Sequence, residues 1–186
     1  MAFLSSQQIS EMGFMSVGYN VLLSDRASFY GCDKISIGNN VRIDDFCVLS
    51  AGVGGIEIGD YIHVAVYTSL IGAGKISIQS YSNISSKVAI YSSNDDYSGT
   101  YMTNPMVPEE FTDVTHEDVS IGKHVIVGSG SVILPGVCLE EGVAIGALSL
   151  VNNSCDAFGV YSGVPVKKLK NRKTNLKILE QQLNGA

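Results

Sequence analysis

Along most of this chain an aliphatic residue returns at every sixth position. Four segments set the phase: Ile35-Ser36-Ile37-Gly38, Ile56-Glu57-Ile58-Gly59, Ile76-Ser77-Ile78-Gln79 and Val119-Ser120-Ile121-Gly122. From the third residue of each, the series run Ile37, Ile43, Leu49; Ile58, Val64, Leu70; Ile78, Ile84, Ile90; and Ile121, Val127, Ile133, Leu139, Ile145, Val151. A weaker version, Val17, Leu23, Phe29, precedes them. Two residues before most anchors stands another small or apolar side chain, among them Val41, Cys47, Ile62, Val88, Val125, Ser131, Val137, Val143 and Ser149. A period of six fits neither the 3.6 of a helix nor the alternation of a plain strand. It predicts a short strand, a turn and another short strand, with turn-tolerant residues (Gly38, Asp44, Gly59, Gly122, Gly128) directly after the anchor.

Three such hexads make an 18-residue coil, and starts near 17, 37, 58, 78, 121 and 139 give about six coils. Stacked coils form a parallel β-helix, an all-β solenoid whose core is a ladder of like aliphatics. The phase holds without a break from Ile121 to Val151, which a sandwich of variable strands does not explain. Periodicity does not set the hand of the coil; the general crossover rule favours a right-handed one. Residues 1–16 are expected as a helical cap, with Ser5 as N-cap, Gln8 three residues on and Gly13 as terminator. The solenoid is expected over 17–165. A polar excursion at 94–118 interrupts it, and a loop of that length inside a compact domain is usually functional. Residues 166–186 are expected as a basic C-terminal helix, from Leu169, Leu176, Leu179 and Leu183 at helical spacing.

Composition narrows the class further. Apolar residues make up 45% and charged residues 16%, the reverse of a disordered chain. Mean hydropathy is +0.21, yet no apolar run approaches the ~20 residues of a membrane helix. This excludes membrane insertion by a helix. The start lacks the basic and apolar regions of a secretory signal, and Cys32, Cys47, Cys138 and Cys155 have no CxxC spacing. Reduced core thiols and a cytoplasmic location are expected. Net charge is −6, unevenly placed: residues 166–183 hold six basic residues against Glu180 alone, which leaves −11 on the rest. An acidic body repels phosphate backbones, so nucleic acid is not an expected partner. The basic tail suits one small polyanion or a solvated face.

The hexads, the excursion, and the endings Ile133-Leu-Pro-Gly-Val, Ile145-Gly-Ala-Leu-Ser-Leu-Val and Tyr161-Ser-Gly-Val-Pro-Val-Lys-Lys resemble the left-handed β-helix acyltransferases. The galactoside and maltose acetyltransferases and the sugar acetyltransferases of bacterial surface-polysaccharide synthesis are the nearest by motif. The resemblance runs from Val17 to Lys170. It implies a left-handed coil, a homotrimer, clefts between subunits as active sites, acetyl-CoA as acyl donor and a sugar or nucleotide-sugar acceptor.

It also implies residue roles. Ser129 and Ala147, one coil apart, match positions whose backbone N–H groups bind the pantetheine arm, which must approach the backbone closely. Pro165 matches a proline near the adenine, and Lys167 and Lys170 match cations that meet phosphates. Asn152-Asn153 stands where relatives often have Thr-Lys. The relatives' catalytic histidine, at the start of the excursion, falls on Asp95, and their sugar-contacting asparagine falls on Ala65, beside Tyr67. Asp96 and Tyr97 join Tyr67 as acceptor-binding candidates.

A histidine suits deprotonation of a sugar hydroxyl near neutral pH, whereas a sugar amine needs less help and a carboxylate can take its proton. Asp95 therefore tilts the acceptor towards an amino sugar. With a hydroxyl acceptor, His63 or His124 has to serve as base. Asp95-Asp96 also reads as a loop cap, since aspartate bonds nearby backbone N–H groups. A zinc site needs three converging ligands, and His63, His116 and His124 are not spaced for one, so no metal is expected. A second reading is a non-catalytic β-helix scaffold or regulatory subunit, which has no use for coenzyme A.

Overall fold

The computed structural model describes residues 2–185. The hexads fold as three parallel faces joined at three edges, each coil giving each face one short strand. The first face stacks Ser16–Val17, Ile35–Ile37, Ile56–Ile58, Ile76–Ile78, Val119–Ile121 and Cys138–Leu139. The second runs Leu22–Leu23, Arg42–Ile43, His63–Val64, Asn83–Ile84, Ile126–Val127, Ala144–Ile145 and Gly159–Ser162. The third holds Ser28–Tyr30, Val48–Ala51, Ser69–Gly72, Ala89–Tyr91, Val132–Ile133 and Leu150–Val151.

Register explains the period. Ile37 pairs with Ile58, Ile58 with Ile78, Ile78 with Ile121 and Ile121 with Leu139, so the anchors form a column, and the other two faces repeat the pattern. Every anchor from Ile37 to Val151 is buried. Each such side chain contributes about 1.5–3 kcal/mol on burial, so a slip of one residue, which turns them outward, is strongly disfavoured.

Seven coils stack, one more than the hexads indicate: the second face has seven parallel strands. The last coil escapes the count because it is short. Cys155 sits over Leu139 after 16 residues instead of 18, and Tyr161 then closes over Ile145. The chain turns sharply at each edge, and there it takes up positive φ. Gly130 and Gly142 do so freely, but Phe46, Tyr61, Tyr67, Tyr81, Lys87, His124 and Leu148 also lie between +55° and +64°. Such a conformation costs a non-glycine residue roughly 1–2 kcal/mol, and stacking on the coil above offsets it where rings meet.

The N-terminal helix, α1 (Ser6–Glu11), carries the expected capping box of Ser5 and Gln8, and Gly13 follows it at φ +70°. The excursion leaves from the third edge. Ser93–Asn94 pairs antiparallel with Thr115–His116 and stitches its base, so the coil resumes in register across the insertion. The C-terminal expectation needs correction. Residues Lys167–Asn171 are a strand, antiparallel to Gly159–Ser162, and the helix α2 begins only at Leu176 and ends at Asn184. The final coil exposes a row of unpaired backbone groups, and pairing that edge outweighs the helical spacing of the leucines.

Candidate active site

The second edge joins the second face to the third and is the open one. After the second-face anchors of the second to sixth coils come two turn residues and then a residue at positive φ. In the fifth and sixth coils these are Gly128-Ser129-Gly130 and Gly146-Ala147-Leu148. Leu148 N–H donates to Ser129 C=O at 2.9 Å, which locks the two turns one above the other. Among the described residues, no acceptor faces the N–H of Ser129 or of Ala147. A Cβ added at Gly128 would run into the Ala147 backbone nitrogen, so glycine keeps the coils in contact at this point. The edge thus offers two stacked, unpaired donors spaced by one coil, about 4.8 Å. Two amide carbonyls of an extended arm can be met in that way.

Above Ala147 lies the terminal strand. Lys167 pairs with Ser162, and Ser162 packs against Gly146, so the strand's lysines stand at the head of the same edge. Lys167 and Lys170 are exposed, as is Pro165, which follows a cis peptide bond. At the foot of the edge, Tyr67 stacks on Phe46 (centroids 4.9 Å apart), and the Arg26 guanidinium covers Phe46 at 5.9 Å.

Tyr67 apart, the acceptor candidates lie elsewhere in the chain. Asp95, Asp96, Tyr97, Tyr101, Met102 and Asn104 line a cleft of about 670 Å³ within the excursion. That segment departs from the third edge, a whole face away from Ser129 and Ala147. Asp96 accepts the N–H groups of Tyr101 and Ser98, both at 2.9 Å, and these bonds pull its pKa down to about 2. Asp96 is therefore the loop cap. Asp95, its neighbour, is exposed at the cleft.

The three histidines go separate ways. His63 lies on the outer second face, one coil below Asn83, with Nε2 2.8 Å from Asp44. His116 bonds Ser93 at the base of the excursion. His124 belongs to the first edge and is buried under α2: its Nε2 lies 2.6 Å from Glu180, and its ring stacks on Tyr81. Lys123 holds the other Glu180 oxygen, also at 2.6 Å, and Arg172 donates to the His124 carbonyl. This clasp has no visible sequence signal beyond one: Glu180 is the lone acid of the basic tail. Among the described residues, no group of three or more His, Cys, Asp or Glu side chains is arranged to hold a metal ion, and no helix is long and apolar enough to cross a membrane. Burial pushes the Cys47 and Cys155 thiols up to about 11, which leaves both inert at neutral pH.

A parallel β-helix with a column of bare N–H groups under a lysine-bearing strand is the framework of a coenzyme A-dependent acyltransferase. No protein-family model matches the chain, but individual relatives do. It is 62% identical over 180 residues to a dTDP-4-amino-4,6-dideoxy-D-glucose acyltransferase of Escherichia coli, covering 97% of this chain and 94% of that one. AntD, an N-acyltransferase from Bacillus cereus solved with dTDP and 3-hydroxybutyryl-CoA, superposes with a TM-score of 0.93 at 45% identity over 98% of this chain and 96% of its own. A maltose O-acetyltransferase from Clostridium difficile, at 20% identity and a TM-score of 0.59 over 88% of this chain and 72% of that one, shares the fold alone. The chain belongs to the hexapeptide-repeat β-helix acyltransferases, on the side of the nucleotide-amino-sugar enzymes and further from the maltose enzymes.

Proposed function

We propose that this protein transfers the acetyl group of acetyl-CoA to the 4-amino group of dTDP-4-amino-4,6-dideoxy-D-glucose. The observation that carries the reading is the near full-length identity to the E. coli acyltransferase of that name. A variant of AntD solved with dTDP-4-amino-4,6-dideoxyglucose and coenzyme A, at 44% identity, adds support for donor and acceptor together. The bare second edge supports the donor half independently.

In this reading the pantetheine carbonyls accept from the N–H of Ser129 and Ala147, while Lys167 and Lys170 meet the phosphates beside Pro165. The sugar amine attacks the thioester carbonyl and a C–N bond forms. Asp95 takes the proton that the nitrogen sheds, the C–S bond breaks, and the thiolate leaves to be protonated. Tyr67, Asp96 and Tyr97 border the acceptor. Asp95 and the N–H column sit on different edges, so the reading places the reaction between two copies, with the excursion of one facing the second edge of another in a homotrimer. A polar nucleotide sugar fits a cytoplasmic enzyme.

The test is thiol release by the purified protein with acetyl-CoA or 3-hydroxybutyryl-CoA, each with the dTDP-amino sugar and with dTDP-glucose. Release that requires the amine, and is faster with acetyl-CoA, is expected. Equal release with dTDP-glucose sinks the amino-sugar assignment, and no coenzyme A binding at millimolar concentration returns the scaffold reading. Sedimentation at the mass of a single chain would overturn the shared site.

A further inference from the structure

The terminal strand crosses the second face from the second edge to the first. Lys167 pairs with Ser162 beside the second edge, and Asn171 pairs with Gly159 at the other end. From Lys167 to Arg172 the chain covers roughly 17 Å at the rise of an antiparallel strand. Every residue of Lys167–Asn171 is exposed, and the sheet ends with this strand, so it is bonded along one side only. Its ladder is also interrupted by a register shift between Val160 and Tyr161. An edge strand of this kind opens readily unless its ends are tied down.

Both ends are tied. Beside the second edge, Val166 packs against the core and its N–H donates to Leu150 C=O at 2.9 Å. At the first edge the Arg172 N–H donates to Phe158 C=O at 2.6 Å. The Arg172 side chain then donates from Nη1 to the His124 carbonyl at 2.7 Å and to the Gly142 carbonyl at 3.0 Å. His124 and Gly142 both take positive φ at the same turn of successive coils, so one side chain ties the strand to two layers of the solenoid.

The placement of Arg172 is costly. The residue is half-buried, and burial lowers its pKa from the ordinary guanidinium value, although an arginine stays charged at neutral pH. Among the described residues no carboxylate pairs with it, because Glu180, the acid of the neighbouring clasp, is held by Lys123 and His124. A charge drawn out of water with no counter-charge is expensive. What the guanidinium secures in return is the end of the strand.

That end matters because of the lysines. Exposed cations contribute little when they must be ordered at the moment of binding, and a strand fixed in advance avoids that ordering. We infer that Arg172 is a positioning residue for acyl-CoA: by pinning the far end of the strand to the first edge, it holds Lys167 and Lys170 at the head of the second. This rests on the coenzyme A reading of that edge. Arg172 itself stands a whole face away from Ser129 and Ala147. Glu180 lies further along the chain, so its loss frees α2 and leaves the tie of the strand in place.

The experiment is calorimetry with coenzyme A at low salt on Arg172→Ala, alone and combined with Lys167→Ala and Lys170→Ala. Arg172→Ala is expected to bind about 3- to 5-fold more weakly, with kcat and the KM for the dTDP-amino sugar within about twofold. In the double-lysine background it should cost nothing more, because it acts only through those lysines. Hydrogen exchange is the second readout. The amides of Lys167–Asn171 should exchange about 10-fold faster than in the unsubstituted protein, and those of the fifth coil at an unchanged rate. Unchanged affinity, losses that multiply as for a cation acting by its own charge, or faster exchange throughout the solenoid each overturn the inference. Arg172→Lys keeps the charge without the planar NH₂ that meets two carbonyls, and it serves if the alanine variant does not fold. Its strand should exchange about threefold faster, and unchanged exchange there overturns the inference equally. If the unsubstituted protein binds no coenzyme A, the donor reading falls and takes the role in acyl-CoA binding with it, while exchange still decides whether Arg172 holds the strand.

Discussion

The first and second edges are built from the same turn, yet one is sealed and the other bare. Along the first edge the positive-φ residues are large: Tyr61 stacks on Tyr81 at 5.1 Å, and Tyr81 on His124 at the same distance. The helix α2 closes over them through Glu180, through Asn184, which accepts from the Tyr81 hydroxyl at 2.9 Å, and through Lys177, which pairs with Glu141 and covers the Phe158 ring. Along the upper second edge the side chains shrink to Gly128, Ser129, Gly146 and Ala147, and among the described residues the N–H groups of Ser129 and Ala147 meet no acceptor. Side-chain volume decides which edge is sealed and which stays bare.

The sharpest way to break the contrast is Ala147→Pro, which removes a bare N–H that no structural bond uses. Acetyl-CoA binding should weaken about 30- to 100-fold, equivalent to 2–3 kcal/mol for a lost bond and a blocked approach. The melting temperature should stay within about 3 °C. Unchanged affinity by calorimetry would show that the arm does not lie on this edge. A milder effect is expected from Lys167→Ala with Lys170→Ala, about 3- to 10-fold weaker binding at low salt. Exposed cations are screened, so the difference should vanish near 0.5 M salt. Persistence at high salt would mean the lysines act otherwise than by charge.

The sealed edge should answer in stability alone. Glu180→Ala strips Lys123 and the buried His124 of their partner and should lower the melting temperature by about 3–6 °C, with acetyl-CoA affinity within twofold. Acid does the same by another route. The hydrogen bonds from Lys123 and then His124 hold the Glu180 carboxyl below its ordinary range. A depressed acid stabilises the fold in full above its unfolded pKa of about 4.3, and this is lost as pH falls through the lower folded value. The melting difference between wild type and Glu180→Ala should therefore shrink below about pH 4. If α2 is instead held by its leucines, the difference will be small at every pH.

The ladder could be read from sequence because it is a packing rule repeated along the chain: each anchor must fall over the last, and the phase records it. The rule goes silent where a coil is irregular. Cys155 and Tyr161 keep the six-residue spacing but arrive two residues early, and Lys167–Asn171 is set by an edge that needs a partner, a demand invisible in local propensity. The stacking of Ser129 under Ala147 was legible for the same reason as the fold, since both are fixed by phase. The arrangement of the excursion's acids was not. Asp96 and Asp95 are neighbours with different fates, one spent on its own loop and one left exposed, and only the loop's geometry tells them apart. His124 looked like a spare base because its partner, Glu180, lies 56 residues away. The tilt towards an amino sugar, drawn from Asp95 in a histidine's place, agrees with the acceptor named for the E. coli relative.

The stitch at the base of the excursion reaches beyond this one molecule. Ser93–Asn94 and Thr115–His116 close the gap so that Ile78 meets Ile121 across 43 residues, as Ile58 meets Ile78 across 20. The solenoid does not register how long the detour was. Mutations that lengthen, shorten or replace it are thus buffered from the core. The excursion is, in evolutionary terms, an exchangeable cassette, and the hydrogen bonds at its base are the splice points.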